Sequence, residues 1–143
     1  GDVVTRRAWP ELAELFVADA PITLDLRRGE PLVLAGAGPL GEMVDRAVSR
    51  FEFFEFALLN SVVELGDGDT ATGRLYMCEL RQDAATGRWT TAYGLYRDRY
   101  VRTPDGWRIA ERHYSSLART APEADGSRDG SVRDFEVFDV PGL

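Results

Sequence analysis

Few side chains in this 143-residue chain can do chemistry at neutral pH. All 17 basic residues are arginine, which removes lysine Schiff bases and lysine-bearing phosphate loops. His113 is the sole histidine and Cys78 the sole cysteine, so a zinc site has almost no ligands to draw on. No metal or cofactor is therefore expected. A Ser-His-Asp system would have to run through His113, and no G-x-S-x-G elbow is present. Carboxylates, tyrosines, arginines and that one histidine remain.

The densest group of such residues is Gly94 to Arg102. Read as a strand, Ala92, Gly94, Tyr96, Asp98, Tyr100 and Arg102 share one face, and Tyr93, Leu95, Arg97 and Arg99 share the other. Small residues beside tyrosines suit a pocket wall, and paired arginines suit solvent. Asp98 would then point inward between two tyrosines, where poor solvation favours an acid/base role. The competing reading is a structural ion pair with an arginine of a neighbouring strand. If Asp98 is the acid/base, Asp98→Asn should cut turnover on the order of 10²-fold and leave the melting temperature nearly unchanged.

By the same alternation His113 shares a face with Trp107, Ile109 and Glu111. It could be a general acid or base at a pocket mouth or a hydrogen-bonded histidine at a sheet edge. Phe54, Phe56, Leu58 and Asn60 also alternate onto one face. They read as core, or as an apolar pocket wall in which Asn60 is the polar handle. Tyr76 shares a face with Cys78, which reads as a small buried hydrophobe rather than a nucleophile.

These residues need elements to position them. Trp9, Leu12, Ala13 and Phe16 fall at helical spacing, with Pro10 in the first turn, and predict a helix over roughly 8–18. Residues 22–26 alternate as a strand, and Leu40, Met43, Val44, Ala47, Val48 and Phe51 form the stripe of a helix over 39–51. The period then changes to two. Strands are predicted near 52–65, 69–82, 88–102 and 106–115, separated by short Gly- and Asp-rich turns that imply consecutive hairpins. A polar linker at 121–131 precedes an apolar tail containing Val132, Phe135, Val137, Phe138 and Val140. One domain over 1–120 and a docking tail within 121–143 follow. The fold class is α+β: a cone-shaped, strongly curved antiparallel sheet with helices on its concave side and a conical pocket between them.

A net charge of −7 argues against a nucleic-acid partner, because that affinity rests on cationic neutralisation of phosphate. No apolar run approaches the roughly 18–20 residues that span a bilayer, so no membrane partner is expected. A single cysteine cannot make an internal disulfide and fits a reducing, cytoplasmic setting.

Three segments carry a family resemblance. Trp9 to Phe16 with Asp19-Ala20 resembles the W-x-x-L-x-x-L-F-x-x-D-A segment of the nuclear-transport-factor-2-like superfamily. Gly68-Asp69-Thr70-Ala71-Thr72-Gly73-Arg74 is similar to its G-D-x-A-x-G/A-R hairpin. Gly94 to Arg102 with Asp105-Gly106-Trp107-Arg108-Ile109 resembles its G-x-Y-x-D-x-Y/L-x-R and D-G-W-R-I pair. Over roughly residues 5–114 the chain resembles the SnoaL-like branch, with scytalone dehydratase and lindane dehydrochlorinase. That resemblance implies an Asp–His base dyad, but the matching positions hold Thr5 and Phe56, neither of which accepts a proton near pH 7. It also implies an opening helix ahead of these residues, which this sequence begins too late to contain. Arg102 matches an arginine that the dehydrochlorinase uses near its leaving group.

Two classes of function are thereby expected. One is a cofactor-free lyase, isomerase or cyclase acting by proton transfer on an apolar, polyketide- or terpenoid-like molecule. Asp98, His113, Arg102 and Tyr96 would be its catalytic candidates, and Phe54, Phe56, Asn60, Tyr76, Tyr100 and Trp107 its substrate contacts. The other is a non-catalytic ligand-binding or assembly domain of the same fold. Relatives of this kind form dimers or trimers, so a homodimer or homotrimer is expected.

Overall fold

In the computed structural model, residues 1–121 and 135–139 are described. The chain opens with a helical turn, α1 (Asp2–Thr5), and a 3-10 helix, Trp9–Glu14. Strands β1 (Pro21–Asp25) and β2 (Leu32–Ala35) follow, then helix α2 (Ala37–Val48). Four long strands come next: β3 (Phe51–Leu65), β4 (Thr70–Asp83), β5 (Trp89–Thr103) and β6 (Gly106–Thr120). A short β7 (Phe135–Val137) is the last described element.

The sheet runs β2-β1-β6-β5-β4-β3. The long strands pair antiparallel as consecutive hairpins, because each tight turn returns the chain beside itself. β1 joins β6 in parallel, pairing Ile22–Asp25 with Arg112–Ser115, and β7 pairs farther along β6 at Ala118–Thr120. The sheet is curved and unclosed. Its concave face packs on the 3-10 helix and α2 through Leu12, Phe16, Leu40, Met77, Ile109 and their neighbours.

The expected α-helix over 8–18 is shorter and tighter than its pattern. After Glu14 the backbone of Leu15 accepts from the Ile109 N–H at 2.7 Å, and Val17 N–H donates to the Ile109 carbonyl at 3.0 Å. Pairing with β6 replaces further helical turns. β2 gave no expectation, being a four-residue strand at the sheet edge with mostly exposed side chains. β6 runs five residues past the expected end at Ser115, to Thr120. Of the expected tail contacts, Phe135 and Val137 lie in β7, and Phe138 lies under the Arg119 guanidinium, 4.8 Å from its carbon to the ring centre. Val132 and Val140 lie outside the described residues.

Besides a shift at Glu52 near the start of β3, three bulges decide which side chains face the helices. On β3, Leu58 pairs with Met77 and Asn60 with Tyr76, so Leu59 is extra. On β6, Tyr100 faces Ile109 and Arg99 faces Glu111, which leaves Ala110 unpaired. A third shift, between Tyr93 and Gly94, skips Leu117. Since side chains alternate with a period of two, each extra residue reverses the faces beyond it.

Candidate functional site

Between sheet and helices lies a cavity of about 640 Å³, within the range of small-molecule sites. Leu12, Phe16, Leu40, Met43 and Val44 form its helical side, and Phe56, Leu58 and Leu75 part of its strand side. Two glycines make room for its tyrosines. A Cβ on Gly94 would come within 2.2 Å of Tyr114 Cε2, and one on Gly73 within 2.8 Å of Tyr100 Cε2. The Tyr114 ring therefore lies across β5, packed 5.1 Å from the Tyr96 ring centre.

Asp98 is 3% exposed and fully committed. Arg112 Nε donates to its Oδ1 at 2.9 Å, Arg112 Nη2 to its Oδ2 at 2.6 Å, and the Tyr100 hydroxyl to Oδ2 at 2.9 Å. The guanidinium also stacks on Tyr96, 4.2 Å from the ring centre, and on Phe16 at 5.4 Å. Burial works against the Arg112 charge, but the hydrogen bonds and charge of Asp98 outweigh it and raise its pKa. Burial and the adjacent Asp98 likewise raise the Tyr100 pKa. This is the structural ion pair that the sequence left as the competing reading. Arg112, Tyr96 and Tyr100 line the cavity, and Asp98 stands behind them.

A different carboxylate faces the cavity. Met77, Glu79 and Arg81 alternate onto the inner face of β4, and the register runs from Phe56 through Glu79 and Ala92 to Arg119 across four strands. Small Ala92 leaves space between Glu79 and Arg119. The Glu79 side chain retains 26% exposure and lines the cavity. Among the described residues its ion pair is with Arg81, with Nε 3.4 Å from Oε2, and Arg81 Nε is buried without a hydrogen bond. Among the described residues nothing donates a hydrogen bond to the Glu79 carboxylate. Desolvation raises its pKa, only partly countered by Arg81. Tyr114 lies in the field of Glu79, Arg81 and Arg119, and burial first, then Glu79, push its phenol up to about 12. Burial raises Tyr96 as well. Both phenols stay protonated at neutral pH and act as hydrogen-bond donors.

The structure thus brings together some expected residues and disperses others. Tyr96, Tyr100 and Phe56 line the cavity. Phe54 is buried beside it, stacked 6.3 Å from the Phe51 ring centre in a small cluster with Val48. Asn60 is exposed and turned to the other face by the Leu59 bulge. His113 is turned outward by the Ala110 bulge and lines a shallow outer groove with Arg97, Arg99 and Glu111. Tyr76 lies on the outer face too, since Met77 takes the inner position. Arg102 is 58% exposed, pairs with Asp69 at 3.5 Å and stacks on the exposed Trp107 ring at 4.9 Å, outside the cavity. Thr5 and Phe56 are neighbours: Phe56 N–H donates to Thr5 Oγ1 at 3.1 Å. Glu79, Arg81, Arg112 and Tyr114 gave no expectation. Their signal was the alternation of Leu75, Met77, Glu79 and Arg81, which requires choosing the Met77 face of β4 as the inner one. Among the described residues no group of His, Cys, Asp and Glu is placed to hold a metal ion.

A curved, unclosed sheet wrapped around a helix-capped cavity defines the NTF2-like class with its cystatin-like fold. An NTF2-like protein from Novosphingobium aromaticivorans superposes with a TM-score of 0.67 at 25% identity, covering 90% of this chain and 77% of that one. Residues 2–113 match the SnoaL-like domain, and the chain belongs to that family. A candidate scytalone dehydratase from the same organism gives a TM-score of 0.72 at 16% identity, over 86% of this chain and 80% of its own. The hexachlorocyclohexane dehydrochlorinase LinA-type3 of Novosphingobium barchaimii gives 0.66 at 18%, over 80% and 76%. An uncharacterized protein of Mycobacterium tuberculosis is 31% identical over 111 residues, 76% of this chain and 72% of the relative.

Proposed function

We propose that this chain is a cofactor-free lyase, isomerase or cyclase that moves a proton on an apolar, polyketide- or terpenoid-like molecule held in the cavity. The observation that carries this reading is Glu79, a carboxylate that lines the cavity, accepts no hydrogen bond among the described residues and has a raised pKa. A raised pKa strengthens a carboxylate as a base and brings it nearer the operating pH. Glu79 takes a proton from carbon beside a substrate carbonyl, and the electron pair moves onto that oxygen. The protonated Tyr114 hydroxyl donates a hydrogen bond to the developing oxyanion, in the positive field of Arg81 and Arg119. Glu79 then returns the proton at another carbon, or a leaving group departs and closes the elimination. Asp98 and Arg112 hold the Tyr100 and Tyr96 walls and take no part in proton transfer. Two of the similar structures are named for eliminations, a dehydratase and a dehydrochlorinase, which supports the class.

The test is exchange in D₂O. A panel of bicyclic ketones is incubated with the protein, and loss of the proton next to the carbonyl is followed by NMR. Exchange above buffer background is expected, with Glu79→Gln slower by about 10²-fold or more. Equal exchange by the wild type and Glu79→Gln would remove Glu79 from the mechanism. No exchange with any ligand that binds would favour a binding domain.

A further inference from the structure

The cavity is cationic in a protein of net charge −7. Among the described residues Arg28, Arg46, Arg50, Arg81, Arg112 and Arg119 line it, against the single carboxylate Glu79. Their commitments differ. Arg112 is occupied by Asp98, and Arg119 by Glu136 at 2.8 Å and by the Leu26 carbonyl at 2.9 Å. Arg81 has only the 3.4 Å approach to Glu79, and its Nε is buried without a hydrogen bond. Arg50 reaches Asp83 no closer than 3.9 Å. The exposed guanidinium of Arg46 has no ion pair among the described residues. Arg50 and Arg81 both lie over the Phe51 ring, at 4.8 and 5.7 Å from its centre, and Arg46 occupies the last turn of α2, just ahead of it. The under-partnered arginines thus gather at one end of the cavity, beside Glu79, where the apolar wall gives way to solvent.

We infer that the substrate is an apolar molecule carrying an anionic oxygen group, a carboxylate or a phosphate, bound at this end by Arg81 with Arg46 and Arg50. The inference rests on the cavity being the substrate site and names the class of molecule it takes. A buried guanidinium Nε with an unused donor leaves a desolvation cost that an anion would offset, because charged hydrogen bonds are the strong ones. The rim arginines would attract the anion and then hold it, while the hydrocarbon body fills the space between Phe56, Leu40 and Tyr96. Placing the anion beside Glu79 has a second consequence. Its charge disfavours ionised Glu79, so substrate binding would raise that carboxyl further.

Equilibrium displacement tests this without turnover. The neutral fluorophore N-phenyl-1-naphthylamine reports cavity occupancy, and dodecanoate, dodecyl phosphate and dodecanol compete with equal tails and different heads. We expect one of the two anions to displace the reporter at a concentration about tenfold or more below that of dodecanol, and which anion does so identifies the head group. Arg81→Met with Arg46→Gln should abolish that advantage and leave dodecanol within about twofold. Rising salt should weaken the anion alone. Glu79→Gln should keep or increase the anion's advantage, so a failed proton-transfer role and a failed anion site give different results. Equal displacement by dodecanol, an advantage that survives the arginine changes, or a cavity that takes none of these molecules would overturn the inference.

Discussion

The two ends of the cavity handle buried charge in opposite ways. At one end Asp98 accepts three hydrogen bonds, from Arg112 twice and Tyr100 once, and the guanidinium is sandwiched between Tyr96 and Phe16. At the other, among the described residues, Glu79 has a loose ion pair with Arg81 and no hydrogen bond. The carboxylates lie six residues apart in strand register, roughly 20 Å along the sheet. A satisfied network fixes shape, and its charges are already compensated by one another. An under-satisfied carboxylate stores its desolvation cost and can release it to a substrate proton. On the function proposed above, the contrast gives Asp98 a structural part and Glu79 the chemical one, where the sequence had left Asp98 between an acid/base and a structural ion pair.

The largest effect should come from breaking the satisfied end. Asp98→Asn leaves the Arg112 charge buried without its counter-charge, and urea unfolding should show a loss of about 3–5 kcal/mol. This reverses the expectation from sequence that the substitution would spare stability. A variant with unchanged stability would dissolve the contrast between the ends.

Gly94→Ala should come next. The added Cβ would lie 2.2 Å from the Tyr114 ring, so the ring or the strand must shift. A loss of about 1–3 kcal/mol is expected by the same measurement. The displaced Tyr114 should also lower carbon-acid exchange, separating this change from a purely structural one.

Glu79→Gln sharpens the comparison from the other side. A carboxyl whose pKa is raised by folding binds its proton more tightly folded than unfolded. Its penalty on stability is therefore full above the folded pKa and disappears as pH falls to the ordinary carboxylate range. Wild type should gain stability relative to Glu79→Gln as pH is lowered from 8 to 4, and Glu79→Gln should be the more stable at pH 8. Thermal melts of both proteins across that range check the sign. The smallest effect belongs to His113→Ala. On the outer face it should change stability by no more than about 0.5 kcal/mol and leave exchange untouched.

Much of the frame was legible because it rests on local rules. Turns at Gly66-Asp67-Gly68 and Thr103-Pro104-Asp105-Gly106 set the hairpins, and the stripe from Leu40 to Val48 set α2. On each long strand the inner face was legible only between bulges. Phe56 and Leu58 were read on one face and both line the cavity, but Asn60 lies past Leu59 and points away. Ile109 was read on the face of His113 and is buried, but His113 lies past Ala110 and Arg112 takes the inner place. Ala110 and Leu59 carry no glycine or proline signal, so a sequence of this kind hides its reversals. Glu79 was missed for another reason. Both faces of β4 mix apolar and polar residues, and only packing of Met77 against the core chooses between them.

The most direct measurement of the central claim is the titration of Glu79 itself. Glutamate labelled with ¹³C at Cδ gives one carboxyl resonance per residue, and Glu79→Gln identifies which belongs to Glu79. The account predicts that this resonance titrates above the ordinary carboxylate range and moves higher still when an anionic ligand occupies the cavity. A Glu79 resonance that titrates with the exposed glutamates would contradict it.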